Sequence, residues 1–232
     1  MHLLKDHKLQ LGFIASLLLI LSCASTKLNY PAAADFNPSD SDPKAIALAN
    51  ETMQAMGGYK NWQKTRYIGW NFFGARTLLW DMHSGLVRIE SEKDKYKVIV
   101  NINDNTGKVM LDNSIQSHPD TLSKYLDMAK NIWINDSYWL VMPFKLKDSG
   151  VALKYVESGK TKEGNEADVL SLTFQSVGKT PNNKYHVYID KQTKLVRQWD
   201  FYTNADDESP RFTTPWEGYE TYGSILLSGR GV

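Results

Sequence analysis

The sequence predicts an α+β fold: a curved antiparallel sheet of about ten strands, an open half-barrel, with two helices packed on its concave face. Three observations predict it. From Arg66 onward, apolar residues recur with a period of two in short runs separated by turn residues. The loops between those runs are too short for crossovers, which leaves antiparallel pairing. Two segments, one before the first run and one midway along the chain, instead carry apolar residues at helical spacing.

The first helix begins at Asp42-Pro43, an N-cap followed by proline at the first helical position. It carries Ala45, Leu48, Ala49, Thr52, Met53 and Met56 on one face and stops at Gly57-Gly58. Strands follow at Tyr67–Phe73, Arg76–Met82, Leu86–Glu92, Tyr96–Asn103 and Lys108–Leu111, joined by turns such as His83-Ser84-Gly85 and Asp104-Asn105-Thr106-Gly107. The second helix opens at His118-Pro119-Asp120. It presents Leu122, Tyr125, Leu126, Ala129, Ile132 and Trp133 on one face and is expected to end at Asn135-Asp136-Ser137. Strands resume at Val151–Glu157, Asp168–Ser176, Lys184–Asp190 and Lys194–Tyr202, and Thr221–Ser228 forms a last short one.

Ahead of the domain, Lys5 and Lys8 precede the apolar stretch Leu9–Leu21, which is too short to span a bilayer comfortably. It ends in Ile20-Leu21-Ser22-Cys23, similar to the lipobox of bacterial lipoproteins: an aliphatic residue, a tolerant position, a small residue, then cysteine. That resemblance implies a lipid on the Cys23 thiol and cleavage before it. Ala24 after the cysteine suggests, by analogy with Gram-negative sorting, the outer membrane, and the lack of an acidic run suggests a periplasm-facing domain. The chain thus divides into a lipoprotein signal peptide (1–22), a lipidated cysteine with a flexible tether (23–41) and a half-barrel domain (42–232). The tether is assigned on its small, polar, proline-containing composition.

Charge excludes one class of partner. Lys plus Arg number 27 against 26 Asp plus Glu, and no basic block occurs, so nucleic acid is not expected. Cys23 is the only cysteine, which removes intramolecular disulfides and, once it is lipidated, thiol catalysis. The motifs of nucleophile elbows, zinc proteases, phosphate loops and dinucleotide folds are absent. His83, His118 and His186 stand alone on separate elements rather than in close pairs, so no metal and no cofactor are expected. Among the carboxylates near apolar segments, Asp81 and Asp200 each follow a tryptophan in a strand. An inward Trp80 or Trp199 sends its Asp to the wet face. Glu90 shares a strand face with Arg88; Asp136 and Glu157 complete the set.

Aromatic residues make up 12% of the chain, with 7 Trp and 12 Tyr, and they carry the functional reading. Trp70, Phe72, Trp80, Trp133, Trp139 and Phe144 fall on strand faces and at the end of the second helix, as candidates for lining a hydrophobic cavity roofed by helices. The order of elements resembles the half-barrel of periplasmic lipoprotein carriers and their membrane-anchored receptors, the LolA and LolB type. Tyr185–Trp199 (YHVYIDKQTKLVRQW) resembles their strand–turn–strand hairpin, and Trp139–Val151 (WLVMPFKLKDSGV) a stretch of uncharacterised lipoproteins of that architecture. The resemblance implies a non-enzymatic, membrane-anchored protein that binds an acyl chain or another apolar ligand. Two alternatives stand beside it: an interaction or scaffold lipoprotein docking another envelope protein, and a carboxylate-dependent hydrolase built on Asp136 or Glu90.

Overall fold

The computed structural model describes residues 29–174 and 182–229; Cys23 and the signal segment lie outside these, as does the expected strand end at Ser176. The architecture is α+β with open antiparallel sheets. Strands β1 (Tyr67–Phe72), β2 (Arg76–Asp81), β3 (Leu86–Ser91), β4 (Tyr96–Asn101), β5 (Gly107–Leu111) and β6 (Ser114–Ile115) form one six-stranded meander in sequence order. Strands β7 (Val151–Lys160), β8 (Glu166–Phe174), β9 (Lys184–Asp190), β10 (Val196–Tyr202) and β11 (Phe212–Pro215) form a second, five-stranded meander. β12 (Tyr219–Tyr222) and β13 (Ile225–Ser228) make a separate hairpin. The strands number thirteen among the described residues, divided over these sheets rather than joined in one. The extra strands are β6, β11 and the halves of Thr221–Ser228, which Gly223-Ser224 folds back on itself.

Helix α1 (Pro43–Ala55) starts where the proline places it, but the Asp42 carboxylate does not cap it. It accepts from the Tyr155 backbone N–H at 2.9 Å instead, fixing the helix start to β7. That hydrogen bond holds the carboxyl below its usual range. α2 (Tyr59–Lys64) is a short helix after Gly58 that no periodicity announced. α3 (Pro119–Val141) runs through Asn135-Asp136-Ser137, where a stop was expected. The reason is Asp136: its carboxylate is fully buried and takes two bonds from Arg76 at the start of β2, 2.6 and 2.8 Å long. With its charge so satisfied, the side chain does not compete with the helix backbone. α3 then tightens into a single 3-10 turn, Met142–Lys145, around Pro143.

The inner faces of the sheets bury two hydrophobic clusters. α3 covers the first sheet, where Leu78, Trp80, Val87, Ile89, Val98 and Val100 meet Leu126 and Ala129. α1 covers the second, where Leu153, Leu170, Leu172, Val187 and Trp199 meet Ala45, Leu48 and Ala49. The small residues of α1 allow it to lie close across strands, as a helix packed on a sheet requires.

Residues 29–41, expected as the last part of a flexible tether, are packed on the domain. Tyr30 and Phe36 are buried, one in each cluster. Ala33 N–H donates to the Lys147 carbonyl at 3.0 Å, and Ser41 Oγ accepts from Leu153 N–H at 3.0 Å. The composition is that of a tether, but two aromatic side chains and their apolar area outweigh it. We refer to residues 29–41 as the strap.

An edge cleft as candidate functional site

The six aromatic residues singled out by sequence do not come together. Trp80 and Trp133 pack edge to face at 5.2 Å inside the first cluster. Phe144 stacks on Trp62 at 4.3 Å. Phe72 lies half-buried beside Phe73. Trp139 belongs to the second cluster, 4.7 Å from Trp199 and stacked on Phe212 at 5.8 Å. These rings fill the space between helices and sheets, so the cavity expected under the helix roof is packed by side chains.

Of the six, Trp70 lines a cleft. That cleft, of about 610 Å³, lies at the free edge of the first sheet and is in the range of small-molecule sites. β1 forms one wall through Tyr67, Ile68, Gly69, Trp70 and Asn71, and β13 the other through Ile225, Leu227 and Ser228. Asn61, Lys64 and Thr65 of α2 and its end close one side, and Leu140 of α3 contributes to the lining. The floor is apolar; the rim is polar and carries one cation, Lys64.

The chain builds this cleft by leaving an edge unpaired. Arg66 and Phe72 direct their carbonyls towards the β2 side, accepting from Met82 and Ala75. By the alternation of an antiparallel pair, the backbone groups of Tyr67, Gly69 and Asn71 point the other way, into the cleft. Across it, the β12–β13 hairpin is held at a fixed distance by α1: Leu226 N–H donates to the Met56 carbonyl at 2.9 Å. Gly57 makes that approach possible. Its φ is +112°, and a Cβ there would stand 2.5 Å from the Ser224 carbonyl oxygen. Trp70 lines the cleft while its indole N–H is buried and has no acceptor among the described residues.

The carboxylates resolve into structural roles. Glu90 lies on the outer face, in contact with Arg88 and 3.9 Å from Lys97. Asp81 is on that face too and pairs with Arg66 at 3.2 Å, which holds its carboxyl down to about 2. Asp136 belongs to Arg76, whose own pKa the bond raises further. Asp136 and Glu90, the two carboxylates of the hydrolase alternative, are each engaged by a cation.

Asp200 departs from expectation. Trp199 points inward as predicted, yet Asp200 on the opposite face is 6% exposed rather than solvated. Tyr188 Oη and Gln198 Nε2 donate to it, each at 2.9 Å, and the turn after β7 folds over them through a bond from Lys162 N–H to Gln198. Burial, and then the neighbouring carboxylate, pushes the Tyr188 hydroxyl well up. His186 beside them shares a 3.1 Å bond with Tyr202 and is lowered chiefly by burial. Among the described residues no group of three histidine, cysteine or acidic side chains is placed to hold a metal, and no helix is long and apolar enough to cross a membrane.

One buried cation escaped sequence reasoning. Lys147, 4% exposed, donates to Asn29 Oδ1 at 3.1 Å, to Asn50 Oδ1 at 2.7 Å and to the Tyr30 carbonyl, with the Tyr30 ring 3.8 Å away. Burial pushes its ammonium down to about 8. In sequence it is one lysine in a mixed segment, Lys145-Leu146-Lys147-Asp148, and only the strap folding onto it reveals the site.

A model of a family described as a family of unknown function, DUF6503, matches residues 93–231, more than half of the chain. No curated protein matches. Among solved structures, a crystal structure of a DUF1329 family protein from Desulfovibrio piger ATCC 29098 is similar at 12% identity, over 81% of this chain and 84% of that one, with a TM-score of 0.41.

Proposed function

The chain belongs to the DUF6503 family of unknown function, and we propose that it is a membrane-anchored periplasmic lipoprotein whose domain binds an amphiphile without catalysis. The ligand is one with an acyl chain and a polar or anionic head. The single observation that carries this is the edge cleft. It combines an apolar floor of Ile68, Trp70, Leu140, Ile225 and Leu227 with a polar rim at Lys64 and unpaired backbone groups along β1. An acyl chain on that floor is stabilised by about 0.8 kcal/mol per buried CH₂. Its ester or carboxylate meets Lys64 and the backbone N–H groups that the free edge of β1 turns into the cleft. The lipobox supports the anchor, and the sequence likeness to lipoprotein carriers and receptors supports a lipid as cargo.

The test uses the lipoprotein purified from membranes in mild detergent. Native mass spectrometry should detect a co-purified lipid, and a photoreactive fatty acid should crosslink to peptides covering 67–71 and 223–229. Absence of both lipid and crosslink rejects the proposal; crosslinks confined to other peptides reject the cleft as the site.

A second reading rests on the same open edge. The outward backbone groups of Tyr67, Gly69 and Asn71 suit an added β-strand from another envelope protein. A stoichiometric protein partner that is crosslinked through β1, with no lipid bound, favours this scaffold role over the first.

A further inference from the structure

We propose that the protein stands on its membrane with α2 and the mouth of the cleft turned towards the bilayer, Lys60 and Lys64 lying against anionic phospholipid headgroups. The inference rests on the lipid-anchor reading above and adds an orientation and a lipid class to it.

The strap fixes where the anchor leaves the domain. Lys147 holds Asn29 and Tyr30 by one oxygen acceptor on each and a ring contact, while bonding Asn50 of α1, and Tyr30 stacks on Tyr59, the first residue of α2, at 5.7 Å. From Asn29 back to Cys23 is a stretch of six residues, which reaches at most about 20 Å when fully extended. A bilayer holding the lipids of Cys23 therefore passes within that distance of Asn29, on the side of the molecule where α2 sits.

What α2 presents there is complementary to a membrane surface. The helix turns Tyr59 and Trp62 into the first hydrophobic cluster and leaves Lys60, Gln63 and Lys64 exposed. Neither Lys60 nor Lys64 is in an ion pair among the described residues, whereas the next cation, Arg66, is already matched by Asp81. Tyr67, 57% exposed, follows directly, and an amphipathic aromatic ring suits the headgroup layer. Each lysine near an anionic surface favours contact about five-fold. Two do not anchor a protein by themselves, but they are sufficient to orient one that is already tethered.

The cleft gives this orientation a use. Lys64, Thr65 and Tyr67 belong both to this surface and to the cleft lining. An acyl chain then passes from bilayer to cleft without crossing open water, while its anionic head stays beside Lys64.

The experiment is amide hydrogen exchange on the intact lipoprotein. It is reconstituted in nanodiscs of phosphatidylcholine alone or with one-third phosphatidylglycerol, after mass spectrometry has confirmed lipid on Cys23. Peptides covering 59–69 should exchange at least five-fold more slowly in the anionic discs. Peptides covering 107–116, in β5 and β6 at four and five strand spacings or about 19 to 24 Å from β1, should not change. Lys60→Glu with Lys64→Glu should abolish the difference; both side chains are exposed, so folding is expected to survive and a thermal melt checks it. Lipidated protein whose 59–69 region exchanges equally in both discs overturns the orientation while leaving ligand binding standing. A protein without lipid on Cys23 overturns the anchor reading and the orientation with it.

Discussion

Arg76 and Asp136 show how unevenly two partners of one ion pair depend on each other. The Asp136 side chain has no exposure, whereas that of Arg76 retains 23%. Arg76→Ala strands a carboxylate inside the protein and should cost about 3 kcal/mol. Asp136→Ala leaves a guanidinium that still reaches water and should cost less. Urea midpoints read at constant m-value test the order, and the double replacement Arg76→Met with Asp136→Leu should recover most of the loss. Lys147 makes a pH-dependent prediction. Burial lowers its pKa on folding from 10.5 to about 8. Between those values the unfolded chain holds a proton that the folded one has released, so its contribution to stability rises with pH across that window. Lys147→Met should be less stable than wild type at pH 7, because Asn50 and the Tyr30 carbonyl lose their donor, and it should lack the rise. A wild-type curve parallel to that of the variant from pH 8 to 10.5 would refute the assignment.

At the scale of elements, the strands were legible and the ends of helices less so. Period-two runs place β1 to β5 within about two residues of where they lie, because one buried face fixes both register and pattern. The end of α3 was not legible: Asn135-Asp136-Ser137 has the composition of a stop, and its meaning depends on Arg76, sixty residues earlier in the chain. The β12–β13 hairpin was hidden for a related reason. Its turn at Gly223-Ser224 is short, and its position is set by α1 rather than by its own pairing. Gly57 is where this is tested. Gly57→Ala places a side chain on a φ of +112° and against the Ser224 carbonyl. It should cost about 2 kcal/mol. It should also shift the hairpin away from β1, so that crosslinking of the photoreactive fatty acid to 223–229 falls more than crosslinking to 67–71. Equal crosslinking of both segments in a destabilised variant would mean that α1 does not set the width of the cleft.

At the scale of the whole molecule, the two hydrophobic clusters are joined by α1, α3 and the strap, which each place residues in or against both. α3 ends between them, with Phe144 in the first and Trp139 beside the second, and Tyr219 packs against both. The strap does the same from outside, with Tyr30 in the first cluster and Phe36 in the second. The candidate site was legible only at Trp70, since a cleft formed by an absent neighbour leaves no periodic trace: β1 reads like any half-buried strand whether or not its far edge is paired. The strap was illegible because composition averages over two aromatic side chains that decide the outcome. It follows that residues 29–41 contribute to folding and are not a spacer. Phe36→Ala removes a side chain that is 8% exposed and should cost about 3 kcal/mol. Tyr30→Ala should cost a similar amount and in addition free the chain that leads to Cys23. In denaturant titrations both variants should lower the midpoint of the whole domain in a single transition, because each truncation loosens a cluster that shares α3 with the other. A spacer would show no change for either variant, and independent clusters would split the transition in two; each of these results excludes the strap as a joint between them.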